Sequence, residues 1–180
     1  MAVARNLWGY IDRRDHRLMR RLNRWRAPRW IRIWMLAATR MGDGWIWYGL
    51  GLMLLAYGGP QRFSAVGAAA VLGIFVFKAL KRLSQRPRPC QIEPHCWSKV
   101  LPPDQFSFPS GHTMTASSIA LVVSYFYPSF EGVLFFLALS IAVSRIVLGM
   151  HFLSDVLAGV VMGVALGCAS ITAFASFGLI

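Results

Sequence analysis

The sequence predicts an all-α protein: a polytopic bundle of about five membrane-spanning helices, preceded by an amphipathic segment that lies along the membrane surface. Three observations point there. Of the 180 residues, 56% are hydrophobic and only 14% charged, which is too apolar for a soluble domain of this size. The apolar residues gather in five runs, at 44–59, 64–80, 114–130, 132–149 and 152–177, each near the roughly 20 residues a helix needs to cross a bilayer, the first being short. Eleven arginines, finally, crowd into residues 1–40.

The elements follow in chain order. Within residues 1–43, apolar side chains recur at helical intervals, as in Leu7, Tyr10 and Ile11 or Leu18, Leu22 and Trp25. An apolar stripe then meets the acyl boundary while arginines face lipid headgroups, with a break near Pro28. Tryptophan interleaved with arginine suits anionic headgroups, and no nucleic-acid partner is expected. A competing reading makes 28–43 a short span, at the cost of placing Arg29, Arg32 and Arg40 in the membrane. The chain therefore divides into an interfacial segment, 1–43, and a transmembrane domain, 44–180. Gly58-Gly59-Pro60 separates the first two spans, and Pro128 with Gly132 marks a tight hairpin. In the last span Gly159, Gly163 and Gly167 repeat every four residues, a pattern for close helix packing inside the bundle or in a homodimer. No secretory leader, internal repeat or low-complexity tract is apparent.

Charge bears on topology. With residues 1–43 on the surface, 18 of the 19 Lys and Arg fall on one side and Arg62 alone on the other. The positive-inside rule places that side in the cytoplasm, in what would be a bacterial inner membrane.

Three polar groups interrupt the apolar pattern: KRLSQRPRP at 81–89, PSGH at 109–112 and SRIVLGMHFLSD at 144–155. All fall at span ends on one membrane face, so they can meet in space, and ionisable groups converging there suggest function. Lys81, Arg88 and Arg145 offer a point charge and two planar forks, suited to an oxyanion such as phosphate. Ser110, Gly111 and His112 precede a helix start, where free N–H groups and the dipole attract an anion. His151 and Asp155, four apart, share a helix face, so a carboxylate can hold one ring nitrogen and leave the other free to attack or take a proton. Together they read as a phosphoryl-transfer centre. Lys78, Arg82 and Arg86 read as snorkelling or lipid-facing charges, and Glu93, His95 and Asp104 as solvated loop residues. Phe106, Phe108 and Trp97 are candidates to line the entrance for a lipid.

In order and spacing, Lys81 to Pro89, Pro109 to His112 and Ser144 to Asp155 resemble the three-part signature of the type 2 phosphatidic acid phosphatase superfamily of membrane lipid phosphatases. The resemblance covers about 44–177. It implies that His151 is the nucleophile and forms a phosphohistidine, that Asp155 orients it and that His112 protonates the leaving oxygen. It further implies that Lys81, Arg88, Ser110, Gly111 and Arg145 bind phosphate, with no metal and no cofactor. Many bacterial members have six spans with an amphipathic segment between the first two, and this chain is expected to begin at that segment. The substrate would be a lipid phosphate such as phosphatidate, phosphatidylglycerophosphate or undecaprenyl pyrophosphate. Two other classes remain open: a lipid-linked phosphotransferase using the same histidine, and a non-catalytic binder of anionic lipid. Cys90 and Cys96 bracket the loop over the site, as a bridge outside the cytoplasm or as thiols inside it; a zinc set with His95 does not match common spacings.

Overall fold

The computed structural model describes residues 2–25, 27–92 and 104–180, with side chains from Trp8 onward. Glu93, His95, Cys96 and Trp97 lie outside the described residues. The described residues form helices and no strands. In order these are α1 (Ala2–Arg24), α2 (Arg29–Met41), α3 (Trp45–Met53, prolonged by a π turn, Leu54–Gly58), α4 (Pro60–Ser84), α5 (Pro89–Ile92), α6 (Gly111–Phe126), α7 (Glu131–Val147) and α8 (Leu153–Ser176).

Their boundaries follow from local chemistry. Pro28 precedes α2, and Gly59, at φ +84°, turns the chain into Pro60 at the first position of α4, where a missing N–H costs nothing. Gln85 adopts a left-handed conformation (φ 49°) and ends α4 just before Pro87 and Pro89. The hairpin is a single 3-10 turn, Pro128–Phe130, and Gly132 falls inside α7 rather than in the turn.

Three helical segments are long and apolar enough to cross a bilayer: Pro60–Ile92, Pro128–Val147 and Leu153–Ser176. The other two expected spans are shorter. Trp45–Gly58 is stopped by the Gly58-Gly59 break, and α6 has 16 residues, about 24 Å of helix. Position explains how α6 can be short and carry Thr113, Ser117, Ser118 and Ser124. It is the hub, packed against α4, α7 and α8, and most of its residues are buried by protein rather than exposed to lipid.

The seam between α6 and α8 is where the glycine repeat goes. A Cβ on Gly163 would run into the carbonyl oxygen of Met114, with Ser117 Cβ at 3.0 Å. The helices approach so closely because glycine presents no side chain, and the repeat is thereby filled within the bundle. A second core joins Leu54, Ala65, Val66 and Ala69 to Ile119, Val122 and Val123, holding α3 and α4 against α6.

Residues 1–43 form two amphipathic helices. Trp30, Ile33 and Trp34 are exposed, whereas Met35 is buried with Leu148 and Met150, so α2 packs on the end of α7 and the turn after it. Helix α1 lies against the start of α8, burying Met19 and Asp15.

Candidate functional site

Each sequence-selected residue lies at the same end of the bundle. Lys81 ends α4, Arg88 follows its break, Ser110 caps α6, Gly111 and His112 open it, Arg145 ends α7, His151 sits in the turn before α8 and Asp155 in its first turn. Lys81, Arg88, Gly111, His112, Arg145 and His151 line one cavity of about 1440 Å³. From that polar end it runs between α3 and α4 over Leu50, Leu54, Val66 and Ile74. Phe106 lines it too, while Phe108 packs edge-on against Trp8 of α1, with centroids 6.0 Å apart.

His151 is 1% exposed, and its two nitrogens have different partners. Nδ1 lies 2.6 Å from the carbonyl oxygen of Ser107. A carbonyl can only accept, so Nδ1 carries the proton and donates it, and the lone pair belongs to Nε2. Nε2 faces the cavity end, 3.2 Å from Arg88 Nη1. Burial, with the neighbouring charges of Arg145, Arg88 and Lys81, holds His151 well below the ordinary histidine pKa.

Asp155 is placed differently from the sequence expectation. Its Oδ2 stands 3.7 Å from His151 Nδ1, beyond hydrogen-bond reach, and accepts the Phe152 N–H at 2.8 Å. As the third residue of α8 it is drawn to the free N–H at the helix start, and the Ser107 carbonyl orients the ring instead.

The cations line the same cavity as His151. Arg88 is fully buried: Nε donates to the Asp104 carbonyl at 2.9 Å, Nη1 to the Met150 carbonyl at 2.8 Å and Nη2 to Asp104 Oδ1 at 2.7 Å. Lys81 Nζ donates to Asp104 Oδ2 at 2.5 Å. Burial tends to raise the Asp104 pKa, but these two cations hold its carboxyl below the usual carboxylate range. Arg145 is 1% exposed and spends only Nη1, on Thr39 Oγ1 at 2.6 Å; its Nε and Nη2 have no partner among the described residues. Buried guanidinium N–H groups facing a cavity are donors waiting for an anion. Ser110 stands behind: its hydroxyl pairs with Thr113 Oγ1 at 2.9 Å and its N–H donates to the Asp155 carbonyl. The N–H groups of Gly111 and His112 precede the first intrahelical bond of α6, from Met114 to Ser110.

Two sequence readings are corrected. Arg86 is not a lipid-facing charge: Nη1 donates to Asp155 Oδ1 and Ser154 Oγ, both at 2.7 Å, and Nη2 to Asp15 at 2.9 Å and Asp12 at 3.1 Å. Its guanidinium also lies 4.2 Å from the centroid of Phe152. It therefore ties α1 to the floor of the site, where Asp15 also bonds Ser154. Asp104 is no bystander either, since it bridges Lys81 and Arg88. The signal that could have found these residues is scarcity. The chain has seven acidic residues against 19 basic ones, and Asp12, Asp15, Asp43, Asp104 and Asp155 all pair with cations or histidines at this end of the fold.

The family model described as the PAP2 superfamily matches residues 63–178. The chain is similar to phosphatidylglycerophosphatase B of Bacillus subtilis, 32% identical over 134 residues, which cover 67% of this chain and 55% of that protein. It thus spans only about half the length of that relative. It is also similar to decaprenylphosphoryl-5-phosphoribose phosphatase of Mycobacterium tuberculosis, 33% identical over 140 residues, covering 74% of this chain and 77% of that one. Among solved structures, LpxE of Aquifex aeolicus superposes with a TM-score of 0.73 at 28% identity, covering 87% of this chain and 93% of that one. The transmembrane PAP2-type phosphatidylglycerolphosphate phosphatase of Bacillus subtilis superposes with a TM-score of 0.76 at 22% identity, covering 91% and 85%, and shares the fold.

Proposed function

This chain belongs to the PAP2 superfamily, and we propose that it is a membrane lipid phosphatase that hydrolyses a phosphate from a lipid through a phosphohistidine at His151. One observation supports this above the rest: Arg145, buried with two donor atoms that have no partner among the described residues, lines the same cavity as His151, whose lone-pair nitrogen lies 3.2 Å from Arg88.

The proposed reaction has two displacements. Lys81, Arg88, Arg145 and the first N–H groups of α6 hold the phosphate oxygens and offset the charge that builds on them. The His151 Nε2 lone pair forms a bond to phosphorus as the bond to the lipid oxygen breaks, and that oxygen takes a proton from His112. Water, giving a proton back to His112, then attacks phosphorus, and the P–N bond breaks to release inorganic phosphate. Asp155 acts in this scheme through Arg86 and the α8 start, fixing the turn that carries His151. The apolar length of the cavity suits a lipid whose chains remain in the bilayer. The names of the relatives share one chemical feature, a phosphate on a lipid-anchored group, and that class is assigned here.

The test is phosphate release by purified protein in detergent, with a chelator present, from phosphatidate, phosphatidylglycerophosphate and undecaprenyl pyrophosphate. Release from at least one is expected. No release from any would overturn the hydrolase reading and favour a phosphotransferase or a lipid binder.

On the same proposal, residues 1–43 lie at the headgroups and the site opens to the cytoplasm, because Arg62 alone of the 19 basic residues falls on the opposite side. Arg62 is there held by Tyr127, Nη1 to the phenol oxygen at 3.1 Å. An Arg62→Cys variant, with Cys90, Cys96 and Cys168 changed to serine, should react with an impermeant maleimide added outside intact cells. Labelling only after the membrane is opened would reverse the orientation.

A further inference from the structure

The signature motifs supply His151 with its surroundings but give His112 no orienting partner, and the structure finds one far away in sequence. Between α2 and α3 the turn Gly42-Asp43-Gly44 comes down on the start of α6. Asp43 Oδ1 lies 2.9 Å from His112 Nε2. Two features hold it there. Helix α2 is pinned at Thr39, whose hydroxyl meets Arg145 Nη1 at 2.6 Å. The turn itself presses on the imidazole at a point where only glycine fits, since a Cβ on Gly42 would stand 2.7 Å from His112 Cδ2. Gly44, at φ +112°, lets the chain leave into α3. Asp43 lines the same cavity as His112, Arg145 and His151, yet lies outside the residues matched by the family model.

We propose that Asp43 is a positioning residue for His112: its carboxylate takes the Nε2–H, leaving Nδ1 as the nitrogen that exchanges a proton with the reacting oxygens. This rests on the phosphatase reading above. In the substrate complex, where the bound phosphate anion adds its negative charge to that of Asp43, His112 holds both ring protons, with Nε2–H donated to Asp43 and Nδ1–H toward the leaving oxygen. As the P–O bond breaks, that oxygen takes the Nδ1 proton and the ring becomes neutral, still bound to Asp43 through Nε2–H. The free Nδ1 then accepts the proton that water loses in the second displacement, and His112 is restored. A carboxylate on one nitrogen thus fixes the tautomer in both halves of the cycle and favours the cationic form in the first. The interfacial segment, on this assignment, completes the active site as well as anchoring the chain.

Leaving-group chemistry tests it, because only a poor leaving group needs the proton. kcat/KM, which reports steps through P–O cleavage, would be measured for wild type, Asp43→Asn, Asp43→Glu, His112→Asn and the double variant Asp43→Asn/His112→Asn. The substrates are phosphatidate, whose alkoxide leaves poorly, and p-nitrophenyl phosphate, whose phenolate leaves unprotonated. Asp43→Asn should lose roughly 10- to 100-fold on phosphatidate and less than about 3-fold on p-nitrophenyl phosphate. Asp43→Glu should recover part of the loss, and the double variant should be no worse than His112→Asn. Equal losses on both substrates in an active wild type would show a merely structural role and overturn this assignment alone, as would no loss on phosphatidate. Wild type inactive on both would overturn the phosphatase reading, and the assignment with it.

Discussion

His151→Gln is expected to reduce phosphate release by about 10³-fold or more, to the limit of detection, with the protein still folded. Glutamine keeps a polar side chain in the space but has no lone-pair nitrogen to attack with. In the proposed reaction Nε2 is the attacking nitrogen, because the Ser107 carbonyl, 2.6 Å from Nδ1, can only accept. The pH profile should carry the same mark. Burial and the cations around it push the His151 pKa down from 6.5, so the protonated form is disfavoured in the free protein. The nucleophile is then present in its neutral form throughout the neutral range, and the acid limb of kcat/KM that belongs to His151 should fall below pH 6.5. A variant that retains activity within ten-fold of wild type would remove His151 from the reaction.

Arg145→Met should lower kcat/KM by roughly 10²- to 10³-fold and at the same time leave the ligand-free protein as stable as wild type or more so. The two effects have one cause. Among the described residues, Arg145 is a buried cation with one side-chain hydrogen bond, to Thr39, and two donor atoms without a partner. Burying such a group is costly, and an apolar side chain of similar length removes the cost. The phosphate that would complete its hydrogen bonds recovers that cost only when bound, so millimolar inorganic phosphate should raise the melting temperature of wild type and not of the variant. Arg145→Lys should behave like the methionine variant in rate, since an ammonium cannot present two parallel N–H groups. Equal stabilisation of wild type and Arg145→Met by phosphate would place the anion elsewhere.

Much of this site could be read before any fold was known. Lys81, Arg88, His112, Arg145, His151 and Asp155 stand out because each interrupts or borders an apolar run, where an ionisable group costs several kcal/mol unless it has a use. What could not be read was which groups they meet. The Ser107 carbonyl is backbone and carries no sequence signal, and it meets His151 Nδ1 where Asp155 was expected, because the α8 start claims that carboxylate. Arg86 has the same composition around it as a snorkelling arginine, and only the arrival of α1 brings Asp12 and Asp15 to it. Asp43 sits in an ordinary glycine-rich turn, separated from His112 by 69 residues.

The sequence by itself determined that this chain is an all-helical membrane protein with a cationic, histidine-bearing end, because bilayer transfer energies act residue by residue along a run. Tertiary structure decided the rest. It set which nitrogen of His151 meets the Ser107 carbonyl, which carboxylate lies beside His112 and that the amphipathic arm reaches the cavity these histidines line. Those outcomes depend on hydrogen bonds a few ångströms long between segments far apart in the chain. Their geometry is set by how closely α6 packs on α8 through Gly163, and by how α2 packs on α7 through Met35.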